Sequence, residues 1–248
     1  MIFENYSRSE AALISCMVEM VLNGVSTRKV SKVVETLCGT SYSKSTVSEL
    51  GKELDQKVKE FRTRPITGEY PFLTIDATYF KARENHRIIS KAFMIAYATD
   101  DQGHREILGF GVYANESKET WKSFIRDLKA RGLRNVLMIT SDAHEGLCDA
   151  ISKEFPQAAW QRCQFHFSKN IAEKAPKKYQ AGIRSELSEM FNCITIEEAR
   201  RKRDSIIADY QEVAESAMTC LDEGFESSMT AMILPKYLRQ YFRTSNHI

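Results

Sequence analysis

Toward the front of the chain, apolar positions recur at the spacing of helices. Over residues 8–23, Ala12, Leu13, Cys16, Met17 and Met20 share one face, and Asn23-Gly24 ends the pattern as a helix C-terminus does. Ser26 or Thr27 caps a second helix with Val30, Val33, Val34 and Leu37 on its stripe, closed by Cys38-Gly39. Ser43 caps a third, running through Val47, Leu50, Leu54, Val58 and Phe61, before Arg64-Pro65 and Gly68 break the chain. From residue 70 the period changes. Tyr70–Phe80 is rich in β-branched and aromatic residues and predicts a strand; Ile88–Thr99 predicts a second, almost continuously apolar and therefore central. Asp100-Asp101-Gln102-Gly103 is a turn and Arg105–Tyr113 a third strand, so these strands form an antiparallel meander. Ser117–Arg131 predicts an amphipathic helix with Trp121, Phe124, Ile125 and Leu128 inward, closed by Gly132. Val136–Thr140 is a short apolar strand, Glu145–Phe155 a helix stopped by Pro156, and Ala158–Trp160 a last short strand. The order β-β-β-α-β-α-β requires right-handed crossovers after the meander. Beyond Gln161, segments 164–175, 177–192, 196–221 and 225–234 are helical in pattern.

The second and third helices, joined by a short turn containing Gly39, fit a helix-turn-helix unit within residues 1–64. In that motif the second helix enters the major groove with its N-terminal residues leading. Here those are Ser43, Lys44, Ser45, Thr46 and Ser48, while Arg28 and Lys29 open the preceding helix within reach of phosphates. A three-helix packing unit with a solvated polar face accounts for the same pattern. Residues 1–64 hold 10 Lys and Arg against 8 Asp and Glu, so bulk charge does not decide between the two.

The middle region carries acids in unusual places. Asp76 interrupts the first strand between Ile75 and Ala77, and a carboxylate inside a buried strand is costly unless paired or metal-bound. Asp142 follows the fourth strand directly, where ligands bind in open α/β sheets. If the first and fourth strands are neighbours, both acids meet, and two hard oxygen donors suit Mg²⁺ or Mn²⁺. Asp142 with Glu145 three residues on also has capping-box spacing, which would only start a helix. Glu84 and Glu106 fall on solvated strand faces. Cys163 and His166 form a C-x-x-H without a matching second pair, so a structural role in packing or hydrogen bonding is expected ahead of zinc.

Composition narrows the class. The 248 residues are 43% hydrophobic and 27% charged, which is ordinary for a globular chain. No apolar run approaches the ~18 residues needed to cross a bilayer, and Glu4, Arg8 and Glu10 interrupt any export signal. The six scattered Cys (16, 38, 148, 163, 193 and 220) then read as reduced cytosolic thiols. The net charge of +2 neither implies nor excludes a nucleic-acid partner. Locally the balance shifts: residues 160–203 hold 10 Lys and Arg against 5 Asp and Glu. Lys177, Lys178, Arg201 and Arg203 are expected on one face that follows a phosphate backbone. Solvated basic helix faces share that composition.

Together these residues resemble the bacterial mutator-type insertion-sequence transposases. The stations are Gly24–Arg28 and Ser43–Ser48, Arg64-Pro65, Asp76-Ala77-Thr78-Tyr79, Gly109-Phe110, Glu116-Ser117 and Trp121. Asp142-Ala143-His144-Glu145-Gly146-Leu147, Phe155-Pro156, Gln161–His166 and Arg243-Thr244-Ser245-Asn246 complete the set. The resemblance implies an α/β fold: a ribonuclease H-like mixed sheet, preceded by a helix-turn-helix unit and followed by an all-α insertion. The boundaries it implies are 1–64 for the helix-turn-helix, 70–175 for the catalytic core, 176–242 for the insertion and 243–248 for the return to the core. It makes Asp76 and Asp142 the first two acids of a DDE triad, and it places the third, a Glu, beyond Ile248. The family's front region is longer, so an internal fragment or the product of a decayed element is expected. The implied chemistry is two-metal phosphoryl transfer with Mg²⁺ or Mn²⁺ ions ~3.5–4 Å apart. Asp76 would bridge both ions and Asp142 would hold one. The implied partners are double-stranded DNA, both element termini and target, and further copies of the chain in a dimer or larger complex. The implied setting is the bacterial cytoplasm at the nucleoid, with no membrane. Two other functions fit the same residues: a DNA-binding remnant that does not cut, and a ribonuclease H-like nuclease or junction resolvase.

Overall fold

The computed structural model describes residues 29, 32–33, 35–36, 55–84 and 87–245. The chain divides into two compact units, Met1–Arg64 and Pro65–Ile248. In the first, residues 55–63 are helical, as are the described residues between 29 and 36. Lys29 is helical and exposed, whereas Arg28, Lys44, Ser45, Thr46 and the turn of the expected helix-turn-helix lie outside the described residues.

The second unit is built on a five-stranded sheet. Its strands are β1 (Phe72–Glu84), β2 (Arg87–Thr99), β3 (Arg105–Tyr113), β4 (Met138–Ser141) and β5 (Ala159–Arg162), in the order β3-β2-β1-β4-β5. β1 and β2 pair antiparallel from Phe72↔Thr99 to Glu84↔Arg87, and β2 pairs antiparallel with β3 across an irregularity at Ala96/Tyr97. The turn between β2 and β3 is held by the Asp100 carboxylate, which accepts from the backbone N–H groups of Gln102 (2.9 Å) and His104 (2.8 Å). Gly103 takes φ +87° there, a conformation open to glycine. β4 then pairs parallel with β1, and β5 parallel with β4. The meander and the crossovers are therefore arranged as the pattern predicts. β1 runs past Phe80 to Glu84, because its partner continues outward to Arg87 as a two-stranded ribbon with Tyr79, Phe80 and Ile88 exposed.

Two helices cover one face of the sheet. α1 (Lys118–Ala130) starts with a reciprocal capping box between Ser117 and Thr120 and buries Trp121, Phe124, Ile125 and Leu128. α2 (Glu145–Glu154) buries Leu147, Ala150 and Ile151. Both pack on the odd-numbered β1 residues Leu73 and Ile75 and on Met94, Ala96, Ala98 and Leu108, which form one apolar cluster. Alternation sends Phe72, Thr74 and Asp76 to the opposite face.

The remaining helices are α3 (Gln164–Glu173), α4 (Lys177–Phe191), α5 (Ile196–Tyr210), α6 (Glu215–Ser228) and α7 (Lys236–Phe242), with a 3₁₀ turn at Thr230–Ile233. Phe167, Ile171, Ile183, Leu187, Met190, Ile206, Leu221 and Phe225 make a second apolar cluster among them. The single helix expected over 196–221 is broken: the N–H groups of Val213 and Ala214 both turn back onto the Tyr210 carbonyl, at 3.1 and 2.8 Å. Apolar spacing continues across the break, so periodicity does not register it. The chain then returns to the sheet. Phe242 stacks on Phe72 with ring centroids 3.9 Å apart, and its carbonyl accepts from the buried Thr140 hydroxyl at 2.6 Å. The Gln164 N–H donates to the Arg243 carbonyl at 2.9 Å.

Gly132 joins α1 to the approach of β4 at φ +120°, where an added Cβ would overlap the Ile66 carbonyl oxygen. The neighbouring Ile66 N–H donates to the Arg131 carbonyl at 2.7 Å, so neither strand of backbone can yield without losing that bond. Gly132→Ala is expected to lower unfolding free energy by more than about 2 kcal/mol, measured by urea titration against the unsubstituted protein.

Candidate active site

The parallel pairing of β1 with β4 sets the site. Thr74 lies opposite Thr140 in the register, and Asp76 and Asp142 each stand two residues further along. Both acids therefore leave the sheet at the same level and from adjacent central strands. Each is oriented by its own backbone: Asp76 Oδ1 accepts from the Ala77 N–H at 2.9 Å, and Asp142 Oδ1 from the Ala143 N–H at 2.6 Å. In each carboxylate the other oxygen points away from that bond. The helix-capping alternative for Asp142 is corrected here. The residue that caps α2 is His144, with no side-chain capping bond, so the Asp142–Glu145 box does not form. Glu145 itself is exposed.

His166 joins these acids. It lies in the first turn of α3 and places Nε2 3.8 Å from Asp76 Oδ1, with side-chain exposures of 27% and 21%. That separation makes a charge pair rather than a direct hydrogen bond. The Asp76 side chain is the main influence raising the imidazole pKa, to about 9, against burial, with the Asp142 charge in support. Cys163 and His166, both expected to pack or hydrogen-bond inside the domain, have different surroundings. Cys163 is fully buried, and its sulfur accepts from the Ser245 N–H and hydroxyl at 3.3 and 3.4 Å. One residue of the C-x-x-H anchors the returning chain and the other faces Asp76: Cys163 is the N-cap, with non-helical backbone, whereas His166 lies inside the first turn of α3.

Glu116 is a further carboxylate in the electrostatic surroundings of the two aspartates, and the sequence pattern did not single it out as a site residue. It lies between β3 and α1, and its backbone N–H points to the Tyr79 hydroxyl at 3.4 Å. Burial raises its carboxyl pKa; the nearby charges of Asp142 and Asp76 push the same way, while His144 and the Tyr79 hydroxyl oppose them. In sequence Glu116 is one polar loop residue before a helix cap, and it is the C-terminal end of β3, level with Tyr79 of β1 across β2, that brings it there. Glu106, by contrast, accepts a hydrogen bond from the Tyr70 hydroxyl. Among the described residues no group of three or more His, Cys, Asp and Glu is disposed to hold a metal ion.

The basic helices divide. Lys177 and Lys178 at the start of α4 and Arg201 on α5 are exposed. Arg203 is not part of such a face: its guanidinium lies 4.7 Å over the Phe225 ring and pairs with Asp204 (2.7 Å) and Asp222 (3.7 Å), with the side chain 20% exposed. Arg200 pairs with Glu226, and Lys202 with Glu189. Acids of α4 and α6 face α5, so much of the basic run is an ionic seam within the bundle.

Comparison with known proteins gives the family. The chain belongs to the family described as "Transposase, Mutator family", which it matches over residues 1–248. It is 44% identical over 230 residues to the transposase for insertion sequence element IS256 in transposon Tn4001 of Staphylococcus aureus, covering 92% of this chain and 59% of that protein. It is 35% identical over 245 residues to the transposase for ISRM5 of Rhizobium meliloti, covering 99% of this chain and 62% of the other. It is 40% identical over 216 residues to the transposase for IS1081 of Mycobacterium tuberculosis, covering 87% and 50%. The chain thus spans between half and two thirds of the length of these relatives. The Drosophila P element transposase strand transfer complex shows 10% identity and a TM-score of 0.29 over 68% of this chain and 50% of that one. The mixed sheet with its covering helices is consistent with a ribonuclease H-like fold. Among the described residues no helix is long and apolar enough to cross a membrane.

The His166–Asp76 pair carries a pH signature in the metal-free protein. The folded-state pKa stands above the ordinary 6.5, so the stabilisation is whole below pH 6.5 and fades as pH climbs through about 9. His166→Gln should therefore be less stable than the unsubstituted chain near neutrality, by at most about 3 kcal/mol, with the gap closing by about pH 10. Denaturant titrations at a series of pH values measure it; a gap that widens with pH would contradict the pairing.

Proposed function

We propose that this chain carries the strand-cutting and strand-joining centre of an insertion-sequence transposase, acting on DNA phosphodiester bonds with divalent metal ions. The observation that supports it most is the parallel register that sends Asp76 and Asp142 out at one level of the sheet. The donor set fits Mg²⁺ or Mn²⁺: each carboxylate commits one oxygen to a backbone N–H and keeps the other available as a hard ligand. When bound, such ions supply Lewis-acid activation of an attacking oxygen and charge stabilisation at the leaving oxygen.

The chain's own residues supply position and charge. Asp76 and Asp142 would hold the ions, which would supply the charge that positions the scissile phosphate. His166 steadies the Asp76 carboxylate from outside, the role outer partners play at metal sites. Glu116 lies in the field of both aspartates, and the family's Glu is expected after Ile248. The attacking groups are water and then a DNA 3′-hydroxyl, so no Ser or Tyr nucleophile is needed. Residues 1–64 act as the helix-turn-helix that recognises element termini, 70–175 as the core, 176–242 as the all-α insertion and 243–248 as the return. The working form is a dimer or larger assembly on double-stranded DNA in the bacterial cytoplasm.

As 248 residues, the chain should bind terminal DNA without nicking it, because a two-acid set leaves one ion short of a protein ligand. Extended to include the expected Glu, it should nick with Mg²⁺ or Mn²⁺, and Asp76→Asn or Asp142→Asn should lower the rate by about a thousandfold or more without weakening DNA binding. Gel analysis of a DNA carrying the element's own terminus measures both. Equal nicking by the short and extended forms would place the third acid inside this chain, with Glu116 the first to substitute.

A further inference from the structure

A concavity of about 340 Å³ is lined by Gln164, Phe165, Arg184, Asn192, Arg243 and Thr244 among others. Its size falls within the range of small-molecule sites. Its walls come from the first turn of α3, from the middle and end of α4, and from the returning segment after α7. Phe165 immediately precedes His166, so the cleft and the acids share one helical turn.

The lining is selective in charge. It contains two guanidinium groups and no Asp or Glu. Another concavity, about 600 Å³ along α2 and β5, has the reverse character: Glu145 and Asp149 line it, with no Lys or Arg. Arg184 is exposed and has no ion-pair partner among the described residues, in contrast to Arg200, Lys202 and Arg203. Arg243 is fixed by one nitrogen, which donates to Asn192 Oδ1 at 2.8 Å and lies 3.3 Å from the Phe191 carbonyl, leaving the rest of its planar fork for an anion. The side-chain amides are committed to the walls: Gln164 donates to the Ser228 carbonyl and Asn192 to the Ser188 carbonyl, each at 2.8 Å.

Phe165 supplies the second chemistry. Two positions on, Phe167 is fully buried and serves the helical core, whereas Phe165 is 48% exposed. It meets His166 edge to face, with centroids 5.4 Å apart and planes at 82°, an arrangement that leaves ring surface open. An aromatic face next to a fixed guanidinium and a free one binds a base together with its phosphates, and stacking of this kind tolerates any base. A base inside a duplex cannot stack on a protein ring without leaving its pair.

We infer that this cleft receives an unpaired nucleotide flanking the scissile phosphate, its base stacked on Phe165 and its phosphates held by Arg184 and Arg243. The inference rests on the proposed active site for its position next to the cut. The test uses terminal DNA carrying 2-aminopurine at the flanking position, either as an unpaired overhang or fully paired. On the overhang, the protein should change the probe's fluorescence through stacking. Phe165→Ala should abolish that change and weaken overhang binding by about tenfold while leaving fully paired DNA unaffected. Phe165→Trp should restore it. Arg184→Ala should weaken overhang binding and lower the salt slope by about 0.7. Both side chains are exposed, and unchanged thermal unfolding of the variants checks the fold. Equal losses on paired and overhang DNA, or none on either, would overturn the inference. Asp76→Asn, made in the form extended to include the expected Glu, separates the two readings. If it still cuts, the active-site proposal fails; if it is inactive yet stacks the probe normally, both stand; if it is inactive and Phe165→Ala changes nothing, the cleft alone fails.

Discussion

A parallel strand pair cannot be closed by a tight turn, and the pairing of β1 with β4 therefore dictates how the rest of the second unit is arranged. A long connection must leave the meander and return on the far side of β1, and α1 is the element that fills it. Its buried face of Trp121, Phe124, Ile125 and Leu128 covers the sheet side opposite to Asp76. Glu116 lies at the start of that connection, just past the end of β3. One pairing thus creates the apolar cluster on one face and the acid cluster at the edge of the other.

The acid cluster is held by a small number of compensating contacts. Each aspartate uses the backbone N–H of the residue after it, and His166 brings opposite charge to Asp76. That imidazole is delivered by α3, whose start is tied to the chain's return through Gln164–Arg243 and Cys163–Ser245. The return is tied in turn to the sheet through Thr140 and Phe72. Residues more than eighty positions apart in sequence therefore set the angle at which one histidine meets one aspartate. A displacement of the helical cluster would be transmitted to the site through this short polar seam, since packed elements move as units rather than deform continuously.

Charge divides the helical half into parts with different uses. Where α5 faces α4 and α6, basic and acidic side chains pair and satisfy one another. Where α3, α4 and the return segment meet, guanidinium groups stand with no carboxylate among them. The positive charge without an acidic partner is thus gathered at the junction of α3, α4 and the return segment and is absent from the α5 seam.

Much of the architecture was legible in the linear pattern. The β-branched runs, the Asp100–Gly103 turn and the amphipathic spacing of α1 determined the antiparallel meander and its first crossover, because strand and helix periods are local properties. Asp76 declared itself by being a carboxylate amid apolar strand residues, and Asp142 by following a buried strand. What the pattern could not carry were facts that depend on which residues meet. The break between α5 and α6 lies within continuous apolar spacing. Arg203 looks like its basic neighbours until Phe225 and Asp222 arrive from another helix. Cys163 and His166 share a motif but part company only when the returning chain claims one and Asp76 the other. Sequence by itself determined the strands, the two helices that cover the sheet and the two candidate acids; tertiary structure alone decided that His166 faces Asp76 and that Glu116 lies in the field of both acids, because proximity across a sheet is set by strand order and has no trace in spacing along the chain.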